Sequence, residues 1–322
     1  MIHTARLFIQ LSEVDISNLK KKFKEDMVLT SVKIDSQYDG IFDTDIIKKF
    51  NSWWLFTTID VVKLFNRGEI LENDIGAIQR RLDDYLFFVF NLNDKEFTLC
   101  RIDYRLDVRI SDEVERIVLI DMYKQSVERF GFKVKNVNFA TTVYYNSKSI
   151  TLIIYDKETE REDKHEEIKV YEKNVLRLEV RILNRHLNYM KRQYGLSKIL
   201  ENYFKKDFWE KYMKENVSPI FRKGNFYTLI QASKIIGNSS LKEREKTNLK
   251  EFLKNVSKYG INGIHLLKMR SKKYKLKPKY SEYLIRQNLR MLEALMINPI
   301  SISEYDSVIL GRSQGIINPF KF

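Results

Sequence analysis

The chain has 322 residues, with 57 Lys or Arg against 43 Asp or Glu, a formal charge of +14. Hydrophobic residues at 43% and aromatic residues at 13% are enough for a packed core, which excludes global disorder. No run reaches the roughly 18 apolar residues of a membrane span, and a lone Cys100 with His only at positions 3, 165, 186 and 265 excludes an internal disulfide and argues against a zinc site.

In chain order, Met1 to Asp15 reads as a strand followed by polar chain, without the small-residue cleavage pattern of a secretory leader. A cytoplasmic protein, with no membrane association, is therefore expected. Residues 1–95 mix short strands and helices: Phe56 to Phe65 is a strand end entering a helix, Asn73 to Asp84 is helix-compatible, and Tyr85 to Phe90 is a short buried run. Phe97 to Ile110 alternates as a strand. Ser111 to Phe130 reads as a helix capped by Ser111, with Val114, Ile117, Val118 and Met122 on one face. Val137 to Tyr145 and Ser149 to Tyr155 form a strand pair around the turn Asn146-Ser147-Lys148. Asp156 to Lys173 is highly charged and partly helical, Val175 to Ile182 is a strand, and Asn184 to Tyr194 starts a helix. After Gly195 the chain reads as mostly helical to about Ile297, with Leu249 to Tyr259 and Ser281 to Met296 amphipathic. The expectation is an α+β fold: a mostly antiparallel central sheet with packed helices over residues 1–195, then a largely helical, basic, DNA-binding region over 196–322.

Side chains alternate sides along a strand. Arg101, Asp103, Arg105 and Asp107 therefore share one side, opposite Ile102, Tyr104, Leu106 and Val108. Arg177, Glu179 and Arg181 oppose Leu176, Leu178, Val180 and Ile182 in the same way. The third strand groups Thr151, Ile153, Tyr155 and Lys157 against Ile150, Leu152 and Ile154. If these strands are neighbours, one sheet face gathers carboxylates, a tyrosine and cations. Carboxylates ligate Mg²⁺ or Mn²⁺, a tyrosine hydroxyl can attack a phosphodiester, and cations stabilise the charge that develops. A charged solvent face of an ordinary antiparallel sheet gives the same pattern.

The net charge points to an anionic partner such as nucleic acid. Lys268 to Lys279 concentrates it, with Lys268, Arg270, Lys272, Lys273, Lys275, Lys277 and Lys279 in twelve residues and Tyr274 interleaved. Such a segment can track a phosphate backbone, and a helix-turn-helix reader in the flanking helices is a weaker signal.

Several segments together resemble the phage and plasmid replication proteins of the gene II/X family, and more distantly the trans-acting initiators of rolling-circle plasmids. They are Arg101-Ile102-Asp103, the hairpin Thr142-Val143-Tyr144-Tyr145-Asn146-Ser147, Tyr155-Asp156-Lys157-Glu158-Thr159-Glu160, Leu176-Arg177-Leu178-Glu179-Val180-Arg181, and Tyr194-Gly195-Leu196. The resemblance implies a rolling-circle replication initiator. Such an enzyme nicks and rejoins one DNA strand at an origin through a 5′-phosphotyrosyl intermediate, with Mg²⁺ or Mn²⁺. It implies Tyr155 as nucleophile, with Lys157 completing the motif and Arg101 and Arg177 beside the carboxylate strands. It also implies Asp103, Glu179 and Glu160 as metal ligands, with Asp156 or Glu158 as substitutes for Glu160 and Tyr144 or Tyr145 as alternative nucleophiles. Implied partners are double-stranded origin DNA, the displaced single strand and a host helicase. The paired histidines of many nicking enzymes are missing, and His186 reads as a helix-face residue. Two other functions compete: an origin-binding initiator that does not cleave, and a two-metal nuclease or primase using Asp103, Asp107 and Glu179. An ATP-driven helicase is disfavoured, since no Gly-x-x-x-x-Gly-Lys-Ser/Thr occurs.

Overall fold

Strands form where the apolar pattern repeats every second residue, and helices begin where a short polar side chain can cap them. The structure, a computed structural model, describes residues 1–92, 95–126, 133–134, 141–270, 276–311 and 315–320. The N-terminal part contains β1 (Ile2–Leu11), α1 (Glu13–Phe23), α2 (Met27–Gln37), β2 (Ile41–Lys49), β3 (Ser52–Asp60), α3 (Val61–Phe65) and α4 (Ile75–Tyr85). Ser12 and Asp15 close a reciprocal capping box on α1, and Asp60 caps α3 through the amides of Val62 and Lys63. The apolar run after α4 is a π-helical turn, and it is not wholly buried: Phe87 and Phe88 are exposed.

The middle part contains β4 (Thr98–Arg109), α5 (Glu113–Ser126), β5 (Lys133–Val134), β6 (Thr142–Asn146), β7 (Ile150–Asp156), α6 (Lys157–Asp163), β8 (Val175–Leu183) and α7 (Asn184–Tyr194). Ser147 closes the β6–β7 turn onto the Ile150 carbonyl at 2.9 Å. The end of the predicted helix to Phe130 and the start of the predicted strand at Val137 lie outside the described residues.

Eight strands join in one antiparallel sheet, in the order β2-β3-β1-β4-β8-β7-β6-β5. The expected α+β architecture is the one observed. β4 and β8 are central, with Asp103 opposite Arg181, Arg105 opposite Glu179 and Asp107 opposite Arg177. On the other side of β8, Arg177 lies opposite Tyr155 and Arg181 opposite Thr151. The three strands that alternation singled out are therefore adjacent.

After α7 come α8 (Leu200–Tyr203), α9 (Lys206–Asn216), α10 (Ser218–Phe221), α11 (Leu229–Asn238), α12 (Glu243–Gly263), β9 (Lys268–Arg270), β10 (Leu276–Pro278), α13 (Glu282–Ala294) and α14 (Glu304–Ile309). The region is mainly helical, but the basic segment is a β-hairpin, β9 pairing antiparallel with β10.

Two apolar cores result. The first holds the apolar sides of the sheet, including Ile102, Tyr104, Leu152, Ile154, Leu178 and Val180, and extends through Leu200, Tyr203, Tyr212 and Phe221 to Phe226. It resumes with Ile300, Ile302, Ile316 and Phe320. The second core comprises Ala232, Ile236, Leu249, Phe252, Leu253, Val256, Ile264, Ile285, Leu292 and Ile297. The chain passes between the two cores near 227 and 297. The two crossings lie side by side: the Asn225 amide bonds the Met296 carbonyl and the Asn298 amide bonds the Asn225 carbonyl, both at 2.9 Å. Gly224 makes that approach feasible, with φ at +103° and space in which a Cβ would lie 2.5 Å from the Ile297 carbonyl carbon. Among the described residues no helix is long and apolar enough to cross a membrane.

Candidate active site

The polar sides of β4, β7 and β8 do not face solvent. Arg177 is fully buried, and Asp103, Glu179, Arg105 and Tyr155 are each 7% exposed or less. Buried polar groups need partners, and here they find one another. The Tyr155 hydroxyl donates to Glu179 Oε1 at 2.8 Å. His3 Nδ1 meets the same oxygen at 2.6 Å, and because a carboxylate only accepts, Nδ1 carries the proton. Arg177 grips Asp107 through Nε at 2.7 Å and Nη2 at 2.9 Å, while its Nη1 lies 3.4 Å from His3 Nε2. Asp60 Oδ2 approaches the same imidazole nitrogen at 3.7 Å.

Arg181 stands between the other acids, with Nε 3.1 Å from Asp103 Oδ2 and Nη2 3.8 Å from Glu179 Oε2. Thr4 donates to Asp103 Oδ2 at 2.7 Å. A cleft of about 470 Å³ adjoins this cluster, lined by Arg105, Asp107, Arg109, Tyr171 and Trp209 among others.

Charge and burial set the protonation states. Burial pushes the Tyr155 phenol well above its ordinary range and the Glu179 charge adds to this, with Arg177 opposing. Burial would also raise the Glu179 carboxyl, but His3, Arg177 and Arg181 outweigh it and hold the group well below the usual carboxylate range. A neutral phenol therefore faces an ionised acceptor; the bond orients the phenol, while the two opposed shifts keep its proton in place in the resting protein.

The other expected residues are distributed around this centre. Lys157 Nζ lies 5.8 Å from the centre of the Tyr155 ring, bonds Glu160 at 2.5 Å and is 3.6 Å from Glu172. Burial lowers its pKa, with Arg177 adding and Glu160 opposing. Glu160 pairs with Lys157 and Lys164. Although burial opposes it, Lys157 draws the Glu160 carboxyl down to about 2. Arg101 pairs with Asp103 at 3.2 Å and faces Leu183 in the ladder. It lies six positions from Asp107, roughly 20 Å of strand, so the structure does not bring it to Tyr155.

Asp156 points to the opposite side, where it bonds Arg116 Nε at 2.5 Å and caps α6 through the amides of Glu158 and Thr159. Glu158 also pairs with Arg116, at 3.0 Å. Neither joins Asp103 and Glu179. Tyr145 is wholly buried in the first core, its hydroxyl on the Tyr123 carbonyl, which removes it as a nucleophile. His186 bonds the Tyr212 hydroxyl at 2.8 Å on a helix face, as expected. Lys268, Arg270 and Lys277 are exposed on the hairpin, and Lys279 pairs with Glu251 at 2.6 Å. Lys272, Lys273 and Lys275 lie outside the described residues.

The expected metal shell is not assembled. Asp103 and Glu179 share Arg181 as counter-cation, and Glu160 is held by lysines. Among the described residues no group of three or more His, Cys, Asp or Glu is arranged to hold a metal ion. The donor set does not fit a three-carboxylate Mg²⁺ or Mn²⁺ site.

His3 is the residue the sequence did not reveal. Strict alternation from Leu11, Ile9, Leu7 and Ala5 would send it to the core. The β1–β4 register shifts between Ile2 and Thr4, and this bulge turns His3 and Thr4 to the polar side together. A histidine and a threonine in succession at a strand start are the available cue.

The strands that build this geometry also carry a family likeness. Residues 72–205 match the Phage_CRI family, described as the N-terminal region of a replication-associated protein. The match covers 134 of the 322 residues, and over that stretch the chain is similar to that family. It spans α4 to α8 and so includes Tyr155, Arg177 and Glu179, while β1, which contributes His3, precedes it. A comparison with curated proteins found no match.

Proposed function

We propose that the chain is a rolling-circle replication initiator that cuts and rejoins one strand of origin DNA with Tyr155. The observation that carries this reading is the 2.8 Å bond from the Tyr155 phenol to the ionised Glu179, inside the segment that matches the replication-associated family. The Tyr155 oxygen attacks a phosphodiester, and its proton passes to Glu179. The new bond joins phosphorus to the phenolic oxygen, the bond to the 3′ oxygen breaks, and that oxygen takes a proton from water. The products are a 5′-phosphotyrosyl linkage and a free 3′-hydroxyl. Resealing runs the same steps backward, with Glu179 returning the proton. His3 holds the carboxylate, and Arg177, beside the phenol, offsets negative charge that develops there. The adjoining cleft, with Arg105 and Arg109 in its wall, receives the phosphate backbone next to this cluster. The basic hairpin grips the origin duplex, and a host helicase unwinds it.

The test is incubation with supercoiled DNA carrying the origin of the replicon that encodes the chain, with and without Mg²⁺ or Mn²⁺. An SDS-stable adduct on the 5′ end is expected, and Tyr155→Phe should abolish it while leaving DNA affinity within about twofold. The burial of Tyr155 at 7% exposure favours a second reading, an initiator that binds the origin without cutting. That reading predicts a mobility shift and no adduct under any condition.

A further inference from the structure

The charge of the molecule is segregated. Residues 229–297, the stretch that builds the second core, contain sixteen Lys or Arg against five Glu and no Asp, a surplus of eleven out of the total of +14. The rest of the chain is close to balanced.

Within that stretch α13 has two unlike faces. Ile285, Asn288 and Leu292 are buried, and Ile285 and Leu292 belong to the second core. Tyr283, Arg286, Gln287 and Arg290 are all exposed, Tyr283 at 73%. At about 100° per residue, spacings of three, four and seven put these four in one strip roughly 100° wide. None of the four has an ion pair or side-chain hydrogen bond among the described residues. Ser281 caps the helix three residues after β10 ends, so the strip begins where the basic hairpin stops.

We propose that this strip is the base-reading surface of the protein, laid in the major groove of duplex DNA while the β9–β10 hairpin holds phosphates at its edge. This rests on the reading of the chain as an origin-binding initiator and names which element chooses the sequence. The chemistry suits it. A helix about 10–12 Å across fits a major groove about 12 Å wide. Arg donates two parallel hydrogen bonds to guanine, and Gln can pair with adenine through both of its polar atoms. Tyr283 at the start of the strip can pack on sugar or a thymine methyl. Packing on the second core keeps the backbone of α13 rigid, which base reading needs more than phosphate binding does.

The experiment is selection by the full-length chain from a pool of duplexes with a randomised 20-base-pair centre, followed by binding to the selected duplex and to a scrambled one. The wild type should enrich one motif. Arg286→Ala with Arg290→Ala should cut the preference for that motif by roughly tenfold or more. Arg290→Lys, which keeps the charge and removes the fork, should weaken preference with scrambled-duplex affinity unchanged. Lys268→Ala with Lys277→Ala should weaken both duplexes alike. Unfolding midpoints within a degree or two of wild type would establish that these exposed substitutions leave the fold intact. The proposal is overturned if the wild type enriches nothing, if single-stranded competitors displace the duplex at equal concentration, or if the arginine variants keep full preference. Binding is scored without cleavage. A chain that forms the tyrosine adduct yet selects no motif sinks this proposal alone, and one that selects a motif yet forms no adduct sinks only the nicking chemistry.

Discussion

A single carboxylate oxygen, Glu179 Oε1, accepts from both Tyr155 and His3. That sharing gives His3 a role distinct from binding. His3→Ala should leave the carboxylate free to rotate and slow adduct formation by about tenfold or more, with DNA affinity unchanged. His3→Gln, which can still donate to the carboxylate, should recover part of the rate. Single-turnover cleavage measured beside equilibrium binding separates the two quantities, and equal losses in both would refute a positioning role. Glu179 was legible in the sequence because its strand alternates cleanly, whereas Tyr155, on a strand whose polar side also carries Ile153, was picked out by the resemblance of its motif. His3 was not, because one extra residue in β1 reverses the side its neighbours predict. Arg101 shows the converse failure. It lies on the correct side, but period-two counting gives no distance along the strand.

Helix caps and hairpin turns explain what pattern reading caught and missed among the elements. Asp156 looked like a spare ligand in Tyr155-Asp156-Lys157, yet its place is the N-terminus of α6, where it accepts the amides of Glu158 and Thr159 while bonding Arg116. The pairing of Lys268–Arg270 with Leu276–Pro278 was hidden because both strands are only three residues long and carry cations. The hairpin's exposed cations predict a salt effect. Lys268→Ala and Lys277→Ala together should reduce the slope of log affinity against log salt by about two, near one for each phosphate no longer neutralised. An unchanged slope would remove the hairpin from the DNA-binding surface. Gly224 offers a stability test, since a side chain there meets both an unfavourable φ and the Ile297 backbone. Gly224→Ala should cost about 1–3 kcal/mol in urea unfolding, whereas Gly76→Ala, within α4 with open space around it, should be neutral or slightly stabilising.

Across the whole molecule, buried acids tie stability to pH. Glu179, Asp107 and Glu172 are held below their ordinary pKa values against the opposing effect of burial, and Glu160 is drawn from 4.5 to about 2. In acid the unfolded chain binds more protons than the folded one, so stability rises with pH through that window. The stabilisation is complete above about pH 4.5 and is lost progressively towards about pH 2. Melting temperature should thus fall steadily below that point, after an earlier decline between about pH 8 and 6 from the N-terminal ammonium, which burial lowers to about 6, and a rise on acidification would refute the account. The adjoining crossings at Asn225 and Asn298 have a different consequence. Everything between them is topologically an insertion whose two ends nearly touch, so it can be replaced by a short loop without reordering a single strand of the sheet. A lineage could therefore exchange that cassette and acquire a new address on DNA while inheriting its chemistry intact.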